Sequence, residues 1–590
     1  MPDTAKPGSN VRVWGSDVVA AAIREQNFPY AVLNPGASYR GLHDSLVNYT
    51  GNENPKMLVV LHEEHALAIA HGYATVTDKP LAAIVHSNVG LMHATMGVFD
   101  AWCARVPVVL FGATGPIDAA QRRPWIDWIH TTADQASMIR NYIKWDDTPG
   151  SAEAAVESIR RASILARTQP CGPVYINVDA TIQEQELDEW PATQPLESYQ
   201  VPNPPAPNAA DLDKAVQWLD EGKDVVILAG RMSRSEKAWT ERIALAEALG
   251  ARVFLGGQPG AFPTTHPSFS GESGFNLRPD IKESIRKADV ILALEYLDIG
   301  GTLMQVFPAG QPRHTKIINC SIEYQLHNGW IMDYHVLPMC DLHIATTTEQ
   351  LTGALLGRVK KKPNAMKGKQ SAYSLPPMPT GKGEIGIRDL AATFLNVTKD
   401  MEIALMGRPI GWPPNATKIS HPHDWLGGSH GGGVGAGPGL AVGTALALRD
   451  LKSPRLPVMV LGDGDFTMGC NAIWTAANEK IPMLLIVANN RAYFNDELHQ
   501  QNVAKTRERP QERAWIGQRI EDPAPDMSAI AKGFGLDGEG PIENLEDLPK
   551  ALERAFAAVK AGKSYVLDVV TKREYAHAPL TEGRKATGEK

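Results

Sequence analysis

Two short polar groups, each standing where an apolar run stops, carry the first chemistry legible in this chain. Leu456 to Leu461 runs into Gly462, Asp463 and Gly464, and Met483 to Ala488 runs into Asn489 and Asn490, so that Asn490 follows Asp463 by 27 positions. Two apolar runs separated by a helix-length spacer predict a strand–helix–strand unit. In a parallel sheet, ligands bind beyond the carboxyl ends of the strands, so both polar groups should face one crevice. Asp463 and Asn490 offer hard oxygen atoms of the kind Mg²⁺ accepts. A site with so few protein ligands completes its shell with water and phosphate oxygens. The pair therefore predicts a clamp for a magnesium-bound diphosphate.

The clamp needs sheets to hold it, and the rest of the chain supplies the pattern for three. Val/Ile/Leu runs recur as "LAAIVHS", "VPVVLFG" and "GPVYINV", then as "DVVILAG", "ARVFLGG", "ADVILAL" and "TKIINCS", and finally as the two strands above with "SYVLDVV". Continuous apolar runs suit parallel strands buried on both faces. Two proline-rich breaks, 191–208 and 374–383, read as linkers because proline withholds backbone donors. The expected architecture is α/β: three domains, each with a mainly parallel sheet flanked by helices, at 1–190, 209–373 and 384–573, with a polar tail at 574–590.

Composition narrows the functional class. The chain has 590 residues, 43% hydrophobic and 21% charged, with formal net charge -8. It contains no basic stretch large enough for nucleic acid; Lys360 to Lys362 lie just before a proline-rich linker and read as a solvated run. The five cysteines are scattered with no CxxC pair, which points to neither a disulfide framework nor a zinc site. No apolar run approaches a membrane span and the first ten residues are polar. A reduced, cytoplasmic location without membrane or nucleic-acid partners is the expectation.

The spacing of GDG and NN, together with "LNPGAS" (33–38), "HEEHALAIAHGYA" (62–74), "GPVYINV" (172–178) and "GGSHGGGVGAGPGLAVGTAL" (427–446) in that order, resembles the thiamine diphosphate (ThDP) enzymes of the acetolactate synthase, pyruvate decarboxylase, oxalyl-CoA decarboxylase and 2-hydroxyacyl-CoA lyase group. The resemblance covers nearly the whole chain and implies a pyrimidine-binding, a central and a diphosphate-binding domain in that order. It implies Mg²⁺ held by Asp463, the Asn490 side chain and the Ala492 carbonyl. Cofactor contacts are implied at Pro35, Gly36, Val434, Gly435, Gly462, Gly464 and Asp465. Val434 stands where the family places a bulky apolar residue, and a packing valine is an equal reading. A glutamate that hydrogen-bonds the cofactor's aminopyrimidine is also implied. Counting nine residues back from Gly72 gives Glu63, whereas Glu64 reads as an acid favoured by a helix N-terminus.

Departures from the pattern bear on the substrate. "HSNVGLMH" (86–93) replaces the family's Gly-Pro-Gly turn and offers His86, Asn88 and His93. "RRPWIDWIH" (122–130) offers Trp125 and Trp128 as walls and Arg122 or Arg123 as anion partners. After NN, the residues Asn495, Asp496, Glu497, His499 and Gln500 form a polar group in which Glu497 is either a base or part of an exposed helix turn. These features place a ThDP- and Mg²⁺-dependent carbon–carbon lyase or carboligase first. The substrate is then a 2-oxo acid, an aldehyde or ketone, or an acyl-CoA. A 2-oxo acid or oxalyl-CoA decarboxylase is the alternative, and a non-catalytic ThDP-fold regulatory protein stands as a reading of another class. "ILAGRMSRS" (227–235) and Glu323 follow central strands where some relatives hold ADP or FAD, and a domain that binds nothing fits as well. The resemblance also implies a homodimer or homotetramer, and a tail that closes over the site.

Overall fold

The computed structural model describes residues 12–256, 259–273, 277–310, 312–323, 338–363, 365–427 and 431–575. The candidate lid beyond 575 and residues 428–430 of the glycine-rich stretch lie outside them.

Three parallel sheets are present. The first has strands β1 (Tyr30–Leu33), β2 (Lys56–Val59), β3 (Ala82–Ile84), β4 (Val109–Thr114), β5 (Asp146–Asp147) and β6 (Val174–Asp179), in spatial order β2-β1-β3-β4-β6-β5. The second has β7 (Val225–Ala229), β8 (Arg252–Leu255), β9 (Phe269–Glu272), β10 (Val290–Leu294), β11 (Lys316–Cys320) and β12 (Leu342–Ile344), in order β9-β8-β7-β10-β11-β12. The third has β13 (Ile403–Gly407), β14 (Leu456–Gly462), β15 (Met483–Asn489), β16 (Asp537–Ile542) and β17 (Ser564–Val570), in order β13-β14-β15-β17-β16. A two-stranded antiparallel ribbon pairs Val13–Trp14 with Glu186–Leu187.

Burial explains why the strands read as unbroken apolar runs. Met483, Leu484, Leu485, Ile486 and Val487 are all fully buried, so successive side chains that point to opposite faces meet protein on both. The two proline-rich stretches carry no strand, and 191–208 holds only the 3₁₀ turn Leu196–Ser198.

The chain divides into two compact units, the described parts of Met1–Asn203 with His430–Ala447, and those of Pro204–Ser429 with Leu448–Lys590. In the first unit, helices α1 (Glu63–Thr77) and α2 (Ser87–Ala104) follow β2 and β3, and the start of α3 (Gly437–Asp450) packs on α1. In the second, α4 (Asp463–Gly469) leaves β14 and α5 (Phe494–Thr506) follows β15. Among the described residues, no helix is long and apolar enough to cross a membrane.

Candidate active site

In the second unit, the ends of β14 and β15 carry the two polar groups. Gly462 closes β14 and Asp463 opens α4. Asn489 closes β15, and Asn490 and Ala492 follow on the loop. The Ala492 N–H donates to Asp463 Oδ2 (3.0 Å) and to Asn490 Oδ1 (3.0 Å), so one backbone amide ties the two side chains together. Asp463 is buried, and burial pushes its carboxyl up to about 6, so a cation set against it would restore the charged form. A Cβ built on Gly462 meets nothing within 4 Å, which leaves room above the strand end, whereas one on Gly464 would lie 2.7 Å from the Tyr493 ring. Asp465 is half-buried on the first turn of α4. Buried hard-oxygen ligands with adjoining open space fit Mg²⁺ and a diphosphate.

Two groups at this site had no motif to announce them. Asn489 Nδ2 donates to Asp568 Oδ1 (3.0 Å) on β17 while its own Oδ1 accepts the Arg491 N–H (3.1 Å), so Asp568 braces the loop that carries Asn490 and Ala492. The only signal was a lone acid inside the apolar run "SYVLDVV". The second is Arg519, which donates to both oxygens of Glu497 (2.8 and 2.9 Å). Glu497 is buried rather than on an exposed turn, and its carboxylate is engaged in this two-pronged pair. Asn495 Oδ1 is buried with no hydrogen-bond partner among the described residues, and His499 faces solvent.

In the first unit, the carboxyl ends of β1, β2, β3 and β4 deliver a second cluster. Glu63 opens α1 and is 7% exposed, with Glu64 half-buried beside it. Glu63 Oε2 lies 2.9 Å from His93 Nδ1. The His62 ring stacks on His93 with centroids 4.8 Å apart, and burial together with the neighbouring His93 lowers the His62 pKa. His86 caps α2, and its Nδ1 shares a 2.9 Å hydrogen bond with Ser38 Oγ. The ring of His130 meets His86 edge-on at 4.5 Å. Burial, and then His130, lower the His86 pKa, so at neutral pH it is an uncharged imidazole. Gly36 faces His86 closely, and Pro35 beside it is exposed. Asn88 Oδ1 is buried with no hydrogen-bond partner among the described residues.

The loop after β4 behaves differently from its sequence expectation. Arg123 is held by the fully buried Asp127 through its backbone N–H, Nε and Nη2, and Arg122 donates to the Pro116 and Ile117 carbonyls. Both guanidinium groups are thus engaged in shaping the loop. Trp125 and Trp128 are 71% and 81% exposed. What the loop brings inward is His130, pinned by the bond from Gly115 N–H to its carbonyl (3.1 Å). Val434 is exposed, and Gly435 has a positive φ of 112°.

Among the described residues, His62, Glu63 and His93 also bring three ligand atoms within 4.8 Å of one another. Two imidazoles and one carboxylate suit a zinc-like ion better than Mg²⁺, which takes oxygen atoms of the kind Asp463 and Asn490 offer. In the central sheet, the crevice between β7 and β10 is filled by the chain itself. The Arg231 N–H donates to the Glu295 carbonyl (2.9 Å), and a Cβ on Gly230 would lie 1.9 Å from that oxygen.

Three family models match this chain in succession: the N-terminal TPP binding domain of thiamine pyrophosphate enzymes over residues 13–138, their central domain over 212–325 and their C-terminal TPP binding domain over 406–569. The chain belongs to the thiamine pyrophosphate enzymes. Within this family it is 23% identical over 589 residues to acetolactate synthase 2, chloroplastic, of Nicotiana tabacum, covering 96% of this chain and 83% of the relative. It matches the structure of the ThDP-dependent 4-hydroxybenzoylformate decarboxylase of Rhodococcus jostii RHA1 with a TM-score of 0.76 and 20% identity over 95% of this chain and 99% of that one. The benzoylformate decarboxylase of Polynucleobacter necessarius matches with a TM-score of 0.76 and 20% identity, over 96% and 100%. At such identities the structural likeness establishes the shared fold of these thiamine pyrophosphate enzymes.

Proposed function

We propose that this enzyme decarboxylates a 2-oxo acid. This reverses the order expected from sequence, where the polar residues 495–500 and the 86–93 turn together favoured a lyase or carboligase. The observation that carries the reading is the placement of His86, whose Nδ1 is fixed by Ser38 while His130 meets its ring edge-on beside Gly36. It sets an imidazole, able to donate or accept a proton, at the carboxyl end of β3. Glu497, the one residue of the 495–500 stretch read as a candidate base, is engaged by Arg519. The two structural relatives, 4-hydroxybenzoylformate decarboxylase and benzoylformate decarboxylase, support the same choice.

ThDP, when bound, supplies the nucleophilic carbon and the electron sink for breaking a bond next to a carbonyl. Asp463, Asn490 and the Ala492 carbonyl would hold its Mg²⁺-diphosphate, and Glu63 would hold its aminopyrimidine and exchange a proton with it. His86 would orient the substrate carboxylate and move a proton at Nε2, with Nδ1 fixed by Ser38. Glu497 and Arg519 hold each other and anchor α5 over the loop that carries the metal ligands. We assign no ADP or FAD to the central domain, because the chain fills the crevice where either would sit. A homodimer, as the family resemblance implies, would place Glu63 and Asp463 of one site on different chains.

Incubation with ThDP, Mg²⁺ and a panel of aryl and aliphatic 2-oxo acids tests the proposal. Carbon dioxide and the corresponding aldehyde in equal amounts are expected, with turnover falling by about 10²-fold or more in His86→Ala. A 2-hydroxy ketone or 2-hydroxy-3-oxo acid coupling product without free aldehyde would instead establish the second reading, carboligation, which the acetolactate synthase likeness supports. Asp463→Ala is expected to abolish Mg²⁺-dependent cofactor binding in calorimetry, and retained affinity would remove the metal assignment.

A further inference from the structure

We propose that His93 is a positioning residue for Glu63 that relays protons between this buried carboxylate and solvent. The proposal rests on the reading of Glu63 given above and adds a route to it. Glu63 is 7% exposed, so water has little access to its oxygens. His93 bridges the gap: its Nδ1 lies 2.9 Å from Glu63 Oε2 while half of its side chain is exposed.

The helix that carries His93 builds this contact from sequence spacing. Residues three and four apart share one helix face, so His86, Gly90 and His93 line up on α2. Gly90 is the point of closest approach, since a Cβ there would lie 3.0 Å from Glu63 Oε1. The space a side chain would take is given to the carboxylate, which reaches the next turn and His93. From α1, the His62 ring lies over His93 at 4.8 Å with planes 20° apart and fixes its tilt. The titratable groups around the pair are His62 on α1, His86 on α2, and Tyr39 after β1, whose hydroxyl burial and the Glu63 charge keep protonated.

The relay balances. With Glu63 protonated and His93 carrying its hydrogen on Nε2, the Glu63 Oε2–H bond breaks as Nδ1–H forms, and Nε2–H gives its proton to water. Glu63 is left as a carboxylate accepting from Nδ1–H, and the reverse sequence reloads it. No oxidant or further reactant is needed.

The test compares the wild type with Glu63→Gln, His93→Ala and His93→Gln in the full-length protein. Two quantities are read: deuterium exchange at C2 of bound ThDP, by acid quench and NMR, and the hydrogen-bonded ¹⁵N signals of labelled histidine rings in cofactor-free protein. Exchange should slow about tenfold or more in both His93 variants, the low end of what a positioned proton-transfer group contributes. Added imidazole should restore it in His93→Ala, with calorimetric ThDP affinity changed less than about threefold. One histidine ring signal should shift in Glu63→Gln and be missing from His93→Gln. Slow exchange in Glu63→Gln with wild-type exchange in the His93 variants would overturn the relay and leave Glu63 its role. Wild-type exchange in Glu63→Gln would take both down. Slow exchange in His93→Ala that imidazole does not restore, with affinity lost in parallel, would make His93 a packing residue and overturn the relay.

Discussion

Glu63 and His86 keep their places because two neighbours lack side chains. Gly36 has extended backbone (φ -156°) open to any residue, so its identity is set by space: a Cβ there would lie 2.4 Å from the His86 ring. Gly36→Ala must push His86 off Ser38. Misplacing a reacting group by about 1 Å costs on the order of 100-fold, so kcat/KM is expected to fall by about that factor. Thermal stability should change little, because Gly36 is only half-buried. Kinetics beside a melting curve checks this, and wild-type kinetics would show that His86 is not held where the reaction needs it. Gly90→Val should act in the same way on Glu63, slowing C2 exchange while leaving the Asp463 clamp and its Mg²⁺ affinity intact.

Elements hold these residues at points the sequence announces unevenly. The strands were legible because burial on both faces leaves an unbroken apolar run, and Asp463 and Asn490 were legible because each ends such a run. Glu63 could be told from Glu64 by its distance to Gly72, and burial separates the two in the same sense. His130 and Arg519 were not legible, since each reaches its partner, His86 or Glu497, across a loop whose path depends on backbone bonds with no sequence signature. Trp125 and Trp128 misled because aromatic residues near an expected site suggest walls, whereas the turn that buries Asp127 sends both outward. The crossing of α1 and α3 was equally hidden in a glycine-rich stretch. A Cβ on Gly72 would lie 2.3 Å from the Leu440 carbonyl, and one on Gly443 would lie 2.0 Å from the Ile69 carbonyl, so the helix backbones meet where two side chains are missing. Overpacking such a contact costs about 1–3 kcal/mol or more. Gly443→Leu is therefore expected to lower the thermal midpoint by several degrees. It should also weaken ThDP binding, because α1 carries Glu63; an unchanged midpoint would show that the crossing yields without cost.

For the molecule as a whole, the same burial that prepares the magnesium site makes the cofactor-free protein sensitive to pH. Burial raises Asp463 and Asp568 to about 6 each, above the ordinary 3.8. An acid whose folded pKa is raised binds its proton more tightly in the folded state. Its contribution to stability is therefore complete below about 4 and is lost as pH rises through 6. One pKa unit corresponds to about 1.4 kcal/mol, so the two acids together remove on the order of a few kcal/mol between pH 4 and pH 8. His62 and His86, with lowered pKa values, act in the opposite sense: their contribution is present above 6.5 and is lost as pH falls below it. Asp568→Asn separates the two, because an amide oxygen can still accept from Asn489 but cannot titrate. Between pH 4 and 6, the midpoint of the cofactor-free wild type should fall more steeply with rising pH than that of Asp568→Asn. Mg²⁺ with ThDP draws on the charged form of Asp463, so it should stabilise the wild type more at pH 8 than at pH 5.5. Equal slopes for wild type and Asp568→Asn, with equal stabilisation at both pH values, would mean that water reaches these carboxylates and that the clamp is not the dry, cation-demanding site its geometry describes.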